Sequence, residues 1–356
     1  MAKAAWLLMA VLVVAVAHAA RPMQRNAIEE QDTNDIAMLG AGKKGKSPYH
    51  TPHDLFIQER ASKQLPGPGQ HFSFGALVGW DRIHGMMDSM PDSKLLLLVR
   101  HGQAVSNFLS DSLGPDEWFK WETKCGYTDS NGTKWGIFDA DLTDLGVAEA
   151  DSLNSMLRDG GWFNTLTAGK PARAIVSPLT RCLRTASVVL EGLPLTATNV
   201  EENVRETLGE DTCDARRAAS DPEHAEEAEA EEEEAGVGGS LEPVCRFKKG
   251  LRSRFPQYSF PITPPKARSS QGEDGEQEGY ERSTRSGFGL LADEDPLWTE
   301  KRETQAHQVK RARSFLADLW AHAPERVVVV VTHSGFTRSV LLAVGREPYR
   351  PQNTEL

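Results

Sequence analysis

Four short segments carry side chains suited to handling a phosphate ester. They are Arg100-His101-Gly102-Gln103-Ala104-Val105-Ser106-Asn107, Ser177-Pro178-Leu179-Thr180-Arg181, Arg205-Glu206 and Thr332-His333-Ser334-Gly335. A phosphomonoester dianion needs fixed positive charge, and the guanidinium groups of Arg100 and Arg181 could grip its oxygens with paired hydrogen bonds. A neutral imidazole is a competent nucleophile near neutral pH, so His101 could accept the phosphoryl group covalently. A second imidazole, His333, could stabilise charge on the equatorial oxygens when protonated. The leaving alkoxide needs a proton. Glu206 could supply it if its surroundings keep it protonated, and the same carboxylate could then activate water. Each residue alone has a plainer reading: His333 as a core histidine, Arg181 as a helix-surface cation, Glu206 as a solvated carboxylate. The set is specific because the Arg-His, Ser-Pro-Arg and His-Ser segments each fall at the end of an apolar run.

Those runs set the architecture. Leu95 to Val99 is apolar and ends in charge, Ala172 to Val176 stops at Ser177-Pro178, and Arg326 to Thr332 contains five consecutive valines. Such runs predict strands covered on both faces. Helical spacing lies between them: Thr143 as cap for Val147, Ala150, Leu153 and Leu157, then Leu179 to Leu190, Trp298 to Ala321 and Phe336 to Val344. Strands alternating with helices predict a three-layer α/β/α sandwich with a mostly parallel central sheet. In open sheets of this kind ligands bind outside the carboxyl ends of the strands. Gly102 and Gly335 sit there, where the backbone must turn or approach a ligand closely.

The flanks of this domain read differently. Lys3 followed by the apolar run Ala4 to Ala17 and by Ala17-His18-Ala19 fits a signal peptide over residues 1–19. A linker and arm follow over 20–92, then a catalytic domain over 93–352. Within it, 218–243 and 266–287 read as disordered insertions. No second apolar stretch is long enough to span a membrane, so no membrane insertion is expected after leader cleavage. The net charge of −11 is concentrated: nine carboxylates lie between Asp221 and Glu234, and without them the charge is −2. No basic patch suggests a nucleic-acid partner. Gly40 to Ser47 satisfies the G-x-x-x-x-G-K-S pattern of a nucleotide phosphate loop. Pro48 and Pro52 obstruct the helix that such a loop must feed, so the stretch reads as a basic linker. Cys125, Cys182, Cys213 and Cys245 lack C-x-x-C spacing, which argues against zinc. Cys182 falls in an apolar helical pattern. In an oxidising lumen one or two disulfides could form, with three full connectivities open. Asn131-Gly132-Thr133 is a glycosylation sequon in such a compartment.

The sequence resembles the histidine phosphatase superfamily, in the branch that includes cofactor-dependent phosphoglycerate mutases. The likeness is carried by Arg100-His101-Gly102 with Asn107, by Ser177-Pro178-Leu179 with Arg181 and Thr185-Ala186, and by Thr332-His333-Ser334-Gly335. Asp141-Leu142-Thr143 with Gly146 is similar to the family's helix entry. The stretch Val204 to Arg217, together with Phe255-Pro256 and Asp295-Pro296-Leu297-Trp298, is similar to plant- and fungal-type phosphoglycerate mutase-like proteins. The likeness covers most of residues 93–352. It implies that His101 is phosphorylated, that Arg100, Arg181 and His333 form the phosphate pocket, and that Glu206 donates the proton. It further implies that Asn107 orients the pocket, and assigns Arg216 or Arg217 to the non-reacting part of the substrate.

The Gly-x-Trp-Glu-Gly-type stretch of glycolytic mutases and the Arg-His-Gly-x-Arg-x-Pro motif of acid phosphatases and phytases are both absent. The expectation is a metal-independent, cofactor-free phosphatase acting on a small phosphorylated substrate in the secretory pathway, with a signal-routed organelle as the other destination. A mutase-type phosphotransferase and an inactive phosphate-binding module are the alternatives. None of these patterns fixes an oligomeric state.

Overall fold

The computed structural model describes residues 5–11, 49–56, 73–222, 245, 247–265, 285–346 and 348. The Gly40 to Ser47 motif and the acidic run beyond residue 222 lie outside the described residues. Among the described residues there are eight strands: β1 (Ala5–Val11), β2 (Tyr49–His50), β3 (Lys94–Arg100), β4 (Gly126–Thr128), β5 (Lys134–Gly136), β6 (Ala172–Val176), β7 (Leu195–Val200) and β8 (Val327–Thr332). Six of them form one parallel sheet in the order β2-β1-β3-β8-β6-β7, while β4 and β5 make a separate antiparallel hairpin.

The apolar strands are buried on both faces because alternate side chains feed two cores. Leu95, Leu97 and Val99 join Val327, Val329 and Val331 in one cluster. Leu96 and Leu98 join Val328 and Val330 in the other. The first cluster is roofed by α1 (Trp80–Ser89), α4 (Asp144–Arg158) and α6 (Thr180–Val189), through residues such as Ile83, Leu153 and Leu183. The second is roofed by α8 (Gln305–His322) and α9 (Ser334–Ala343), where Phe315 meets Phe336. This is the three-layer sandwich expected from the alternation. Short helices α2 (Val105–Leu113), α3 (Pro115–Trp118), α5 (Trp162–Thr167) and α7 (Leu251–Arg254) fill the connections.

Local sequence explains where the helices start. Thr143 caps α4, its hydroxyl accepting from Gly146 N–H at 3.1 Å, as an N-cap threonine does. Thr304 caps α8 in the same way through His307 N–H. The helix expected from Trp298 therefore begins seven residues later, at Gln305. Upstream, the Asp295 carboxylate accepts backbone N–H bonds from Arg216, Leu297 and Trp298, which bends the chain away from helix.

Three further boundaries differ from the compositional reading. Ala5–Val11, inside the segment read as a leader, runs parallel to β3 from Leu7↔Lys94 to Val11↔Leu98; a short apolar run satisfies either pattern. Leu55, Phe56, Phe74 and Trp80, assigned to the arm, share the core of β3. At the insertions, Ala218 and Ala219 are buried, and Arg285 forms buried ion pairs with Glu201 and Asp318. These residues belong to the packed domain because small apolar groups and paired charges can be buried where isolated charges cannot. One disulfide, Cys125–Cys245, joins residues 120 apart in sequence, leaving Cys182 and Cys213 as buried thiols.

Candidate active site

The register between β3 and β8 pairs Arg100 with Thr332. The next residue on each strand is a histidine, so His101 and His333 emerge side by side at the carboxyl edge. Their ring centroids are 5.1 Å apart, and both rings are buried. His101 N–H bonds to Thr332 O at 3.0 Å, and Thr332 Oγ1 donates to Val204 O at 2.6 Å. The strand ends are thereby stitched to the loop that carries Glu206.

His101 is held in one tautomer. Its Nδ1 donates to Gly102 O at 2.7 Å, while Nε2 accepts from Arg181 Nε at 3.2 Å. The lone pair thus lies on Nε2, facing the cations. Burial, then the charges of Arg181, His333 and Arg100, hold the His101 pKa well below the ordinary imidazole value. Gly102 makes this turn sterically feasible: a Cβ there would collide with the Gly146 carbonyl oxygen. Its N–H is fixed by Thr185 Oγ1 at 3.1 Å, and the following Gln103 N–H by Glu149 at 2.8 Å.

Arg181 is buried on the first turn of α6. Its Nη2 pairs with Asp214 at 2.7 Å and its Nη1 donates to Cys213 O at 2.5 Å. Burial acts to lower its pKa, but Asp214 and neighbouring groups outweigh that and raise it. The fork expected to grip phosphate is therefore aimed by a carboxylate, leaving Nε as the edge turned to His101. Arg100 is also buried. Desolvation lowers its pKa to about 10, opposed by Glu206, so it stays cationic at neutral pH.

His333 accepts or donates through Nε2 to Ser177 Oγ at 2.8 Å and lies 3.3 Å from Cys182 Sγ. Burial, then Arg181, Arg100, Arg205 and Arg311, push its pKa well below the ordinary value. This environment disfavours the protonated form of His333 on which its proposed role depends. Glu206 sits over the amino end of α9. Oε2 accepts from Gly335 N–H at 3.1 Å and Oε1 from Thr207 N–H at 2.8 Å. Gly335 lets the Glu206 carboxylate lie there, since a Cβ would force that carboxylate to move. Arg311 braces the loop from behind, donating to the carbonyls of Asn203, Arg205 and Glu206 while pairing with Glu303.

The structure thus brings Arg100, His101, Arg181, Glu206 and His333 to one edge of the sheet. Asn107 has a different job: its Oδ1 accepts from Ala104 N–H at 3.1 Å, capping α2 just beyond the histidine loop. Arg216 is not available to a substrate. All five of its N–H groups are committed, to Glu202 and to the carbonyls of Ala292, Asp293, Glu294 and Arg217, the full donor capacity of a guanidinium. Arg217 instead pairs with buried Asp139 at 3.1 Å. Sequence reasoning missed the parts of Asp214, Ser177 and Arg311. Asp214 and Ser177 stand in stretches already singled out, but only the fold shows what each one faces.

With this geometry in place, comparison with known proteins points to the histidine phosphatase superfamily. Residues 96–246 match the family model for branch 1 of that superfamily. The curated proteins it is similar to include phosphomutase-like and phosphoglycerate mutase-like proteins. Phosphomutase-like protein 3 of Candida albicans is 24% identical over 287 residues, covering 80% of this chain and 69% of that protein. Phosphoglycerate mutase-like protein 1 of Arabidopsis thaliana is 26% identical over 283 residues, covering 71% of this chain and 73% of that protein. Among solved structures, a mycobacterial glucosyl-3-phosphoglycerate phosphatase in complex with inorganic phosphate is 18% identical, with 69% of this chain and 76% of that chain covered and a TM-score of 0.29.

Proposed function

We propose that this protein hydrolyses small phosphomonoesters through a phosphohistidine formed on His101 Nε2. The observation that carries the reading is the fixed tautomer, with Nδ1 bound to Gly102 O and the Nε2 lone pair turned toward Arg181. Nε2 attacks phosphorus as the ester P–O bond breaks, and Glu206 gives its proton to the departing alkoxide. Water then attacks the phosphohistidine, Glu206 takes the water's proton, and inorganic phosphate leaves with Nε2 restored. Arg100 and the Nε–H of Arg181 neutralise the transferring oxygens. His333 beside them gains affinity for a proton when a dianion arrives, because an opposite charge favours its cationic form.

The names of the relatives favour a second reading, transfer of the phosphoryl group to another hydroxyl. One experiment separates the two. A phosphomonoester panel assayed in EDTA should release inorganic phosphate at an undiminished rate. Isomerisation of 3-phosphoglycerate, stimulated by a bisphosphate primer and without phosphate release, would overturn hydrolysis. Among the described residues, no helix is long and apolar enough to cross a membrane.

We propose a secretory-pathway location for the same chain. The leader-like amino terminus supports it, as does a disulfide, since these persist in oxidising compartments. The sequon supports it too: Asn131, Gly132 and Thr133 are exposed at the tip of the β4–β5 hairpin. Expressed in a eukaryotic secretory host, the protein should migrate faster after endoglycosidase treatment, and Asn131→Gln should abolish that shift. An unmodified product with a free Cys125 thiol would refute the location.

A further inference from the structure

Gln308 lies on α8 next to Val309, with 1% of its surface exposed. A buried amide is costly unless its oxygen and nitrogen both find partners. With its oxygen toward Thr207, the Gln308 amide accepts from Thr207 N–H at 3.1 Å and from Thr207 Oγ1 at 3.2 Å. Its nitrogen then donates to Gly335 O at 3.2 Å and to Ser339 Oγ at 2.8 Å. Turned the other way, the amide keeps Thr207 Oγ1 and Ser339 Oγ as partners. It would then set oxygen against the Gly335 carbonyl and nitrogen against Thr207 N–H, so the neighbours select the first orientation. Ser339 Oγ also accepts from buried Gln305 at 2.6 Å, which anchors the far end of this chain of hydrogen bonds.

Thr207 and Gly335 are also the residues whose N–H groups hold Glu206, at 2.8 Å to Oε1 and 3.1 Å to Oε2, and the Thr207 hydroxyl lies 3.3 Å from Oε1. Gln308 therefore reaches the seat of the carboxylate from both sides. It also competes with it. A hydroxyl has one proton, and Thr207 can spend it on Glu206 Oε1 or on Gln308 Oε1, not on both. Thr207 N–H is divided between the same two oxygens. Hydrogen bonds to a carboxylate favour its charged form, so each share taken by Gln308 favours the protonated acid. The cations around Glu206 pull the other way. Arg100, Arg181 and Arg302 favour the carboxylate, and Asp214 opposes them. Arg311, which holds the Glu206 carbonyl, is paired with Glu303, and the buried thiol of Cys182 has its pKa raised and stays neutral. His333, before Ser334, is disfavoured as a cation. An acid that must carry a proton beside three guanidinium groups needs hydrogen bonds withdrawn from its charged form.

We propose that Gln308 is a positioning residue for Glu206, drawing the Thr207 donors away from its carboxylate so that the acid keeps its proton for the departing alkoxide. This rests on the hydrolase reading above, with Glu206 as the proton donor. Gln308 acts through Thr207 and Gly335, from the opposite side of the loop to the reacting atoms.

The test follows the basic limb of kcat/KM for an alkyl phosphate, which reports loss of the protonated donor in the free enzyme. Gln308→Met keeps a side chain of similar length and removes the acceptor. It should move that limb toward acid by about half a pH unit or more, the size of one hydrogen bond. On a Thr207→Val background the same substitution should move the limb by no more than about half as much, because the hydroxyl is gone. Thr207→Val alone should leave the limb in place, since the hydroxyl proton is spent on Gln308; a limb moved toward base would show it spent on Glu206 and would overturn the proposal even if Gln308→Met failed to fold. An unmoved limb in Gln308→Met, or an equal shift on both backgrounds, overturns it too. So does an equal loss on alkyl and p-nitrophenyl phosphates without a shift, the mark of a merely structural role. Carbon NMR titration of the Glu206 carboxyl, assigned by the signal lost in Glu206→Gln, reads the same shift without turnover. A parent protein that hydrolyses nothing sinks the hydrolase reading, and the NMR titration then decides by itself whether Gln308 sets the proton affinity of Glu206.

Discussion

His101→Ala should lower turnover of every phosphomonoester by at least about 10³-fold and abolish acid-labile labelling by a phosphate donor. The size of the effect follows from the arrangement around Nε2. Removing the ring deletes the atom proposed to form the covalent intermediate; Arg181 and Arg100 offer no nucleophile, and His333 Nε2 is engaged with Ser177 Oγ. The variant should still fold, because His101 occupies a strand end rather than the strand core. Stopped-flow or discontinuous phosphate release, together with trapping of labelled protein, measures both losses, and residual labelling would move the nucleophile elsewhere. The same environment dictates the pH response. Protonation of Nε2 removes the nucleophile, so activity must fall on the acid side. Because burial and three neighbouring groups hold the His101 pKa well below the ordinary imidazole range, that fall should lie below pH ~6.5, the unperturbed imidazole value. A profile of kcat/KM that declines between pH 8 and 7 for loss of the neutral imidazole would contradict the buried, cation-flanked ring.

Glu206→Gln should show an effect that depends on the leaving group. An alkyl phosphate expels a strongly basic alkoxide and needs the proton, so kcat should drop by about 10²–10⁴-fold. p-Nitrophenolate is far less basic and leaves without help, so its ester should lose much less in the phosphorylation step. The substitution keeps the side-chain shape, and the amide oxygen can still accept from Thr207 N–H, as Oε1 does now. Parallel kcat measurements on an alkyl and an aryl ester read the contrast directly. Equal losses on the two would mean that Glu206 acts by positioning the Gly335 end of α9 rather than by moving a proton.

The sheet was legible in the sequence because its signal is local. Leu95 to Val99, Ala172 to Val176 and Val327 to Val331 are unbroken apolar runs, and being covered on both faces leaves such a run no other stable home. Four of the candidate site residues, Arg100, His101, Arg181 and His333, were legible for a related reason: each sits one or a few positions past such a run, whereas Glu206 does not. What stayed hidden depends on contacts between distant segments. Asp214 matters because it lies 2.7 Å from Arg181, a pairing across 33 residues. Arg216 looked like a substrate ligand because an exposed arginine and a buried one are the same letter. Only the carbonyls of 292–294 reveal that its donors are spent. The lowered pKa of His333 is likewise set by burial and then by four arginines from different parts of the chain.

The ladder between β3 and β8 acts as a ruler. Neighbouring strands lie about 4.8 Å apart as a matter of backbone hydrogen bonding, and two histidines leaving equivalent rungs inherit that pitch. Their 5.1 Å ring separation is thus written into the sheet, not into any loop. Chain can be added between the strands without altering the gauge, provided the rungs stay aligned. The stretches after residue 222 and after residue 265 fall between β7 and β8 in the sequence, outside both paired strands. The chain can therefore vary in length there while the spacing of the two histidines stays constant.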